Sequence, residues 1–108
     1  MCGIAGILNL EHSDPVAQRD ISQMLAMLRH RGPDQFGIYL DGPLGLGNAR
    51  LSILDLCGGQ QPISNEDGTL WIVFNGEIFN YLELRPELEC LGHRFATNSD
   101  TEIGRAHV

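Results

Sequence analysis

Residue 2 of the chain is a cysteine, opening the stretch MCGIAGI. Early in a strand, such a cysteine is most simply a small buried hydrophobe. Its position offers a second reading. A small residue at position 2 permits removal of Met1, after which Cys2 carries both a thiol and a free α-amine. An α-amine has a reference pKa of about 8, so near neutral pH it can accept a proton. One residue then supplies both nucleophile and base, and no histidine partner is required. Gly3 beside it lets a substrate approach the backbone closely.

Acyl transfer from an amide also needs oxyanion donors and a grip on the substrate. Asn75-Gly76-Glu77 follows an apolar run, and an Asn amide with a Gly backbone N–H are the donor types such a hole uses. Read alone, Asn-Gly is a hairpin turn. Arg50 ends the run LGLGNAR; it is either a surface cation or a fork for a carboxylate. Asp100 is either a helix cap or the partner of an ammonium. The stretch RGPD (31–34) is either a helix stop or a loop beside a site. Together these groups suit a substrate that carries a carboxylate, an ammonium and an amide, as glutamine does.

The elements that must position them can be read from periodicity. Residues 3–10 form an apolar, glycine-punctuated strand. Asp14 and Pro15 suit a helix start, and Val16, Ile21, Met24, Leu25 and Leu28 recur at helical spacing, which predicts a helix over 15–30. Gly32 is expected to take a left-handed cap there, before Pro33. Residues 36–40 and 44–50 read as strands joined at Asp41-Gly42-Pro43. A loop-rich segment then ends in the turn Asp67-Gly68, and residues 69–75 read as the strongest strand. Asn80 can cap a helix over 81–91 that Gly92 ends, with Pro86 calling for a kink or a later start. Residues 93–98 read as a last strand, and 99–102 as the start of a third helix. Helices and strands mix without strict alternation, which predicts an α+β domain.

The 108 residues allow one small domain. Net charge is −7, every basic residue is Arg, and no basic run appears, so no nucleic-acid partner is expected. No apolar run reaches the roughly 20 residues of a membrane span, and no basic region precedes the first apolar stretch as in a secretion signal. The three widely spaced cysteines, Cys2, Cys57 and Cys90, fit neither a disulfide framework nor a metal site, so no metal and a cytoplasmic setting are expected.

The motifs MCGIAGI, RHRGPD, RLSILDL, GGQQPI, NGEIFNY and SDTE occur in this order between Met1 and Glu102. In them the chain resembles the N-terminal glutaminase domain of glutamine-hydrolysing asparagine synthetases, class II glutamine amidotransferases of the N-terminal nucleophile hydrolase superfamily. RGPD and NGEIFNY favour this branch over amidotransferases that act on sugar phosphates. The resemblance implies an αββα sandwich, here incomplete because only its N-terminal part is present. It also implies Cys2 as nucleophile, with Asn75 and Gly76 as oxyanion hole. Arg50 would bind the α-carboxylate, Glu77 and Asp100 the α-amino end, with backbone from Ile53 and Leu54 nearby and Arg31 as a structural neighbour. The chain departs from relatives at Asn48, Ala49, Phe79 and Pro86.

The implied activity is hydrolysis of L-glutamine to glutamate and ammonia. The ammonia would feed asparagine synthesis in a C-terminal synthetase domain of the same polypeptide. ATP and magnesium are expected in that domain, and no cofactor in this chain. A homodimer of the full-length protein is allowed for. A paralogue with another amide acceptor, or a non-catalytic domain of the same fold, are the alternatives. An incomplete sandwich is expected to leave strand edges and apolar faces uncovered. Residues 103–108, IGRAHV, correspond to the translated codons of a common sequencing adapter, so residues 1–102 are expected to be the domain and 103–108 a foreign tail.

Overall fold

The computed structural model describes residues 2–11, 14–51 and 60–106. Strand β1 (Gly3–Leu8), helix α1 (Gln18–Met27), strands β2 (Gln35–Asp41) and β3 (Leu44–Arg50) form the first half. Strands β4 (Ile63–Ser64) and β5 (Trp71–Ile72) and helices α2 (Tyr81–Cys90) and α3 (Thr101–Ala106) form the second. The result is a small α+β domain with two antiparallel sheets, one ordered β1-β3-β2 and one β4-β5.

Alternation along the strands explains how α1 docks. Ala5 and Ile7 of β1, Ala49 of β3 and Ile38 of β2 share a face, and Ile21 and Leu25, one turn apart on α1, bury themselves against it. β3 meets this helix with glycines. A Cβ at Gly45 would lie 2.8 Å from Val16, and one at Gly47 would lie 2.9 Å from Ile21. Small residues on the central strand therefore set how closely the helix approaches. The opposite face is only partly covered: Ile4 is 49% exposed and Leu8 58%. The two sheets meet where Tyr39 of β2 stacks on Trp71 of β5, ring centroids 4.1 Å apart.

Several elements differ from expectation. α1 begins at Gln18, capped at Ala17 and not by the Asp14 side chain, and it ends at Met27. Gly32 does not occupy the left-handed region, which among the described glycines holds Gly42, Gly68 and Gly92. Gly32 is required for a different reason: a Cβ there would lie 2.0 Å from the Ala49 carbonyl oxygen. Backbone of a central strand cannot yield as a side chain can, so Gly32→Ala is expected to cost about 3 kcal/mol. The check is the denaturation midpoint of the parent protein; an unchanged midpoint contradicts the close approach.

Among the described residues, the expected strand over 69–75 pairs only at Trp71–Ile72, since its partner β4 has two residues. Residues 93–98 form no strand. α2 runs through Pro86 from Tyr81 without a later start, and Gly92, with φ 99°, follows it. In α3, Ile103 is fully buried, and Arg105 pairs with Glu66 and Glu102. That Arg105 contact, and then the Arg94 backbone N–H, holds the Glu66 carboxyl down to about 2.

Candidate active site

The register between β1 and β3 pairs Gly3 with Ala49. Continued by one residue, it sets Cys2 across from Arg50. Cys2 is held there through sulfur: the Leu51 N–H donates to Sγ at 3.4 Å, and Sγ lies 3.7 Å from the Leu51 carbonyl oxygen.

The RHRGPD segment clips onto these strand ends. Arg31 Nε donates to the Cys2 carbonyl at 3.2 Å. Gly32 lies on the Ala49 backbone, and the Asp34 N–H donates to the Arg50 carbonyl at 3.0 Å. RGPD is thus a loop beside the site as well as the end of a helical turn. Arg50, 6% exposed, pairs in register with Gln35 and donates from Nη1 to its Oε1 at 2.9 Å. This bond holds one arm of the guanidinium fork in place.

Asn75, Gly76 and Glu77 are exposed on the segment after β5. That segment is fixed at both ends. Gln61 Oε1 accepts the Phe74 N–H at 2.6 Å, and Asp100 Oδ2 accepts the Ile78 N–H at 2.8 Å. Asp100 is 8% exposed; one oxygen of its carboxylate, Oδ2, accepts this loop bond, while its carbonyl starts α3 by accepting from Ile103. The capping side chain is Ser99, whose Oγ accepts the Thr101 N–H.

Cys2, Arg50, Asn75, Gly76, Glu77 and Asp100 all line one pocket of about 360 Å³. That volume lies at the lower end of the range for small-ligand sites. Its walls also include Leu51, Gln61, Phe74, Phe79, Ser99 and Thr101. Sequence reasoning gave none of these six a place in the site, although GGQQPI and SDTE had marked Gln61, Ser99 and Thr101 as motif positions. Ile53 and Leu54, named for their backbone, lie outside the described residues. Among the described residues no group of three or more His, Cys, Asp or Glu is placed to hold a metal, and no helix is long and apolar enough to cross a membrane.

A thiol, a guanidinium, an amide side chain with a neighbouring backbone N–H, and two carboxylates thus share one cavity. Such a set can hold an amino acid by its two ends while a thiol meets its side-chain carbonyl.

The model of a glutamine amidotransferase domain family matches residues 1–105. The chain is 50% identical over 105 residues to asparagine synthetase [glutamine-hydrolyzing] 1 of Bacillus subtilis (strain 168), an overlap covering 95% of this chain and 17% of that protein. It is 44% identical over 105 residues to asparagine synthetase [glutamine-hydrolyzing] 2 of the same organism, covering 95% of this chain and 14% of the relative. It is 40% identical over 103 residues to asparagine synthetase [glutamine-hydrolyzing] 1 of Arabidopsis thaliana, covering 95% and 17%. The chain therefore spans less than a fifth of the length of these curated relatives.

Proposed function

Because the chain belongs to the glutamine amidotransferase domain family, we propose that it hydrolyses L-glutamine through a Cys2 thioester, as the N-terminal part of an asparagine synthetase-like ligase. The observation that carries this reading is the convergence of Cys2, Arg50, Asn75, Gly76, Glu77 and Asp100 on one pocket.

After Met1 is removed, the α-amine of Cys2 takes the thiol proton and the sulfur attacks the glutamine side-chain carbonyl. Asn75 Nδ2 and the Gly76 N–H stabilise the oxyanion. Collapse breaks the C–N bond, the leaving nitrogen takes the proton back, and ammonia departs. Water then attacks the thioester carbonyl and gives up a proton to the amine, and C–S cleavage releases glutamate and restores the thiol. Arg50 holds the α-carboxylate. Glu77 and Asp100 hold the α-ammonium, with backbone of Ile53 and Leu54 beside it. The family further points to an N-terminal nucleophile hydrolase sandwich of which this chain is the N-terminal part, located in the cytoplasm. Ammonia passes to a synthetase domain of the same polypeptide that activates aspartate with ATP and magnesium.

Charge-assisted bonds to a buried cation contribute about 1.5–3 kcal/mol. Arg50→Leu is therefore expected to raise KM for glutamine roughly 10- to 100-fold with a smaller change in kcat. Steady-state glutamate release from the parent protein reads this; an unchanged KM removes Arg50 from the carboxylate site. Asparagine formation from aspartate, glutamine and ATP by the same protein tests the acceptor.

A further inference from the structure

Gln61 is 6% exposed and sits where three elements meet. Its Oε1 accepts from the Phe74 N–H at 2.6 Å and from Asn48 Nδ2 of β3 at 3.2 Å. Its Nε2 donates to Thr101 Oγ1 at 3.2 Å. The orientation of the amide is dictated by its partners. A backbone N–H can only donate, so Gln61 must turn its oxygen to Phe74 and its nitrogen to the Thr101 hydroxyl.

Both neighbours adjoin candidate site residues. Phe74 precedes Asn75, and its ring lies beneath Gly76: a Cβ on Gly76 would meet Phe74 Cζ at 2.7 Å. Thr101 follows Asp100, which holds the far end of the same segment at Ile78. The Asn75-Gly76-Glu77 segment is exposed and, among the described residues, has no strand partner of its own, so its placement there depends on these two anchors. β3, through Asn48, provides the fixed reference, because Asn48 is 1% exposed and belongs to the central strand that also carries Arg50.

We infer that Gln61 is a positioning residue for glutamine hydrolysis, holding the Asn75-Gly76 oxyanion donors in register with the β3 strand through Phe74 and Thr101. The inference rests on the proposed glutaminase activity, since only an oxyanion makes the placement of these donors matter to rate. Near-isosteric Gln61→Met keeps the volume and leaves the Phe74 N–H without its acceptor. Gln61→Glu keeps oxygen acceptors for Phe74, Asn48 and a reoriented Thr101 hydroxyl.

The test compares wild type, Gln61→Met and Gln61→Glu in the full-length parent protein, by amide hydrogen exchange and by glutamine hydrolysis. In Gln61→Met the Phe74 amide is expected to exchange about tenfold faster or more while β3 amides keep their rates. Its kcat is expected to fall about tenfold or more with KM within about threefold. Gln61→Glu, which keeps an acceptor for the Phe74 N–H, is expected to keep Phe74 exchange within about threefold of wild type. Unchanged Phe74 exchange in Gln61→Met overturns the anchor, and faster exchange with unchanged kcat overturns its role in rate. If Gln61→Met does not accumulate as folded protein, Gln61→Asn, one methylene too short to span Phe74, Asn48 and Thr101 together, takes its place: faster Phe74 exchange with reduced kcat upholds the anchor, and wild-type values of both overturn it. A wild type that releases no glutamate defeats the glutaminase reading, and hydrogen exchange still decides the anchor.

Discussion

Cys2→Ala is expected to abolish glutamate release from glutamine, by a factor of roughly 10³ or more. The proposed pathway runs entirely through sulfur, and among the described residues the pocket holds no second thiol to take over. The only other described cysteine, Cys90, ends α2 and does not line the pocket. Binding should persist, because Arg50, Glu77 and Asp100 are untouched. The substitution removes one sulfur that meets Leu51 at the end of a strand pair, so the fold should survive it. The check pairs glutamate release with a glutamine-binding titration on the same preparation. Release by Cys2→Ala at the wild-type rate refutes the thioester route, whatever the binding data show.

Asn75→Ala is expected to lower kcat by roughly 10²–10³ while KM changes little, the signature of a lost oxyanion donor. Asn75 is exposed, so its side chain supports no core. Its backbone neighbours keep their anchors at Gln61 and Asp100 in the variant. A structural role would lower stability, and a carboxylate- or ammonium-binding role would raise KM; a transition-state role does neither. Steady-state kinetics with a melting curve separate the three. A rise in KM at constant kcat moves Asn75 from the oxyanion to the ground state.

The sequence marked much of this site before any coordinate did, because the groups concerned have distinctive chemistry. A thiol at position 2, an Arg ending an apolar strand and an Asn-Gly pair after another each raise a question that the pocket brings together. β3, Leu44–Arg50, matched its expected bounds, since its alternation and flanking turns agree. Other elements depended on partners that local pattern cannot see. The run TLWIVFN has strong strand propensity, but a ladder extends only as far as its neighbour, and β4 offers two residues. Residues 93–98 likewise have the composition of a strand and pair with no strand among the described residues. Gly32 looked like a helix cap, whereas its need for no side chain comes from a carbonyl seventeen positions away. Gln61 escaped attention for a related reason. A neutral amide has no periodicity or charge to single it out, and its three bonds reach residues 13 to 40 positions distant.

The most direct measurement of the central claim is mass spectrometry of the parent protein quenched in acid during turnover of glutamine. Met1 is expected to be absent, and the N-terminal peptide is expected to begin at Cys2 and to carry a glutamyl adduct that hydroxylamine removes. The Cys2→Ala protein should show no adduct. A fully active protein that retains Met1, or that turns over glutamine with no glutamyl group on Cys2, would contradict the account.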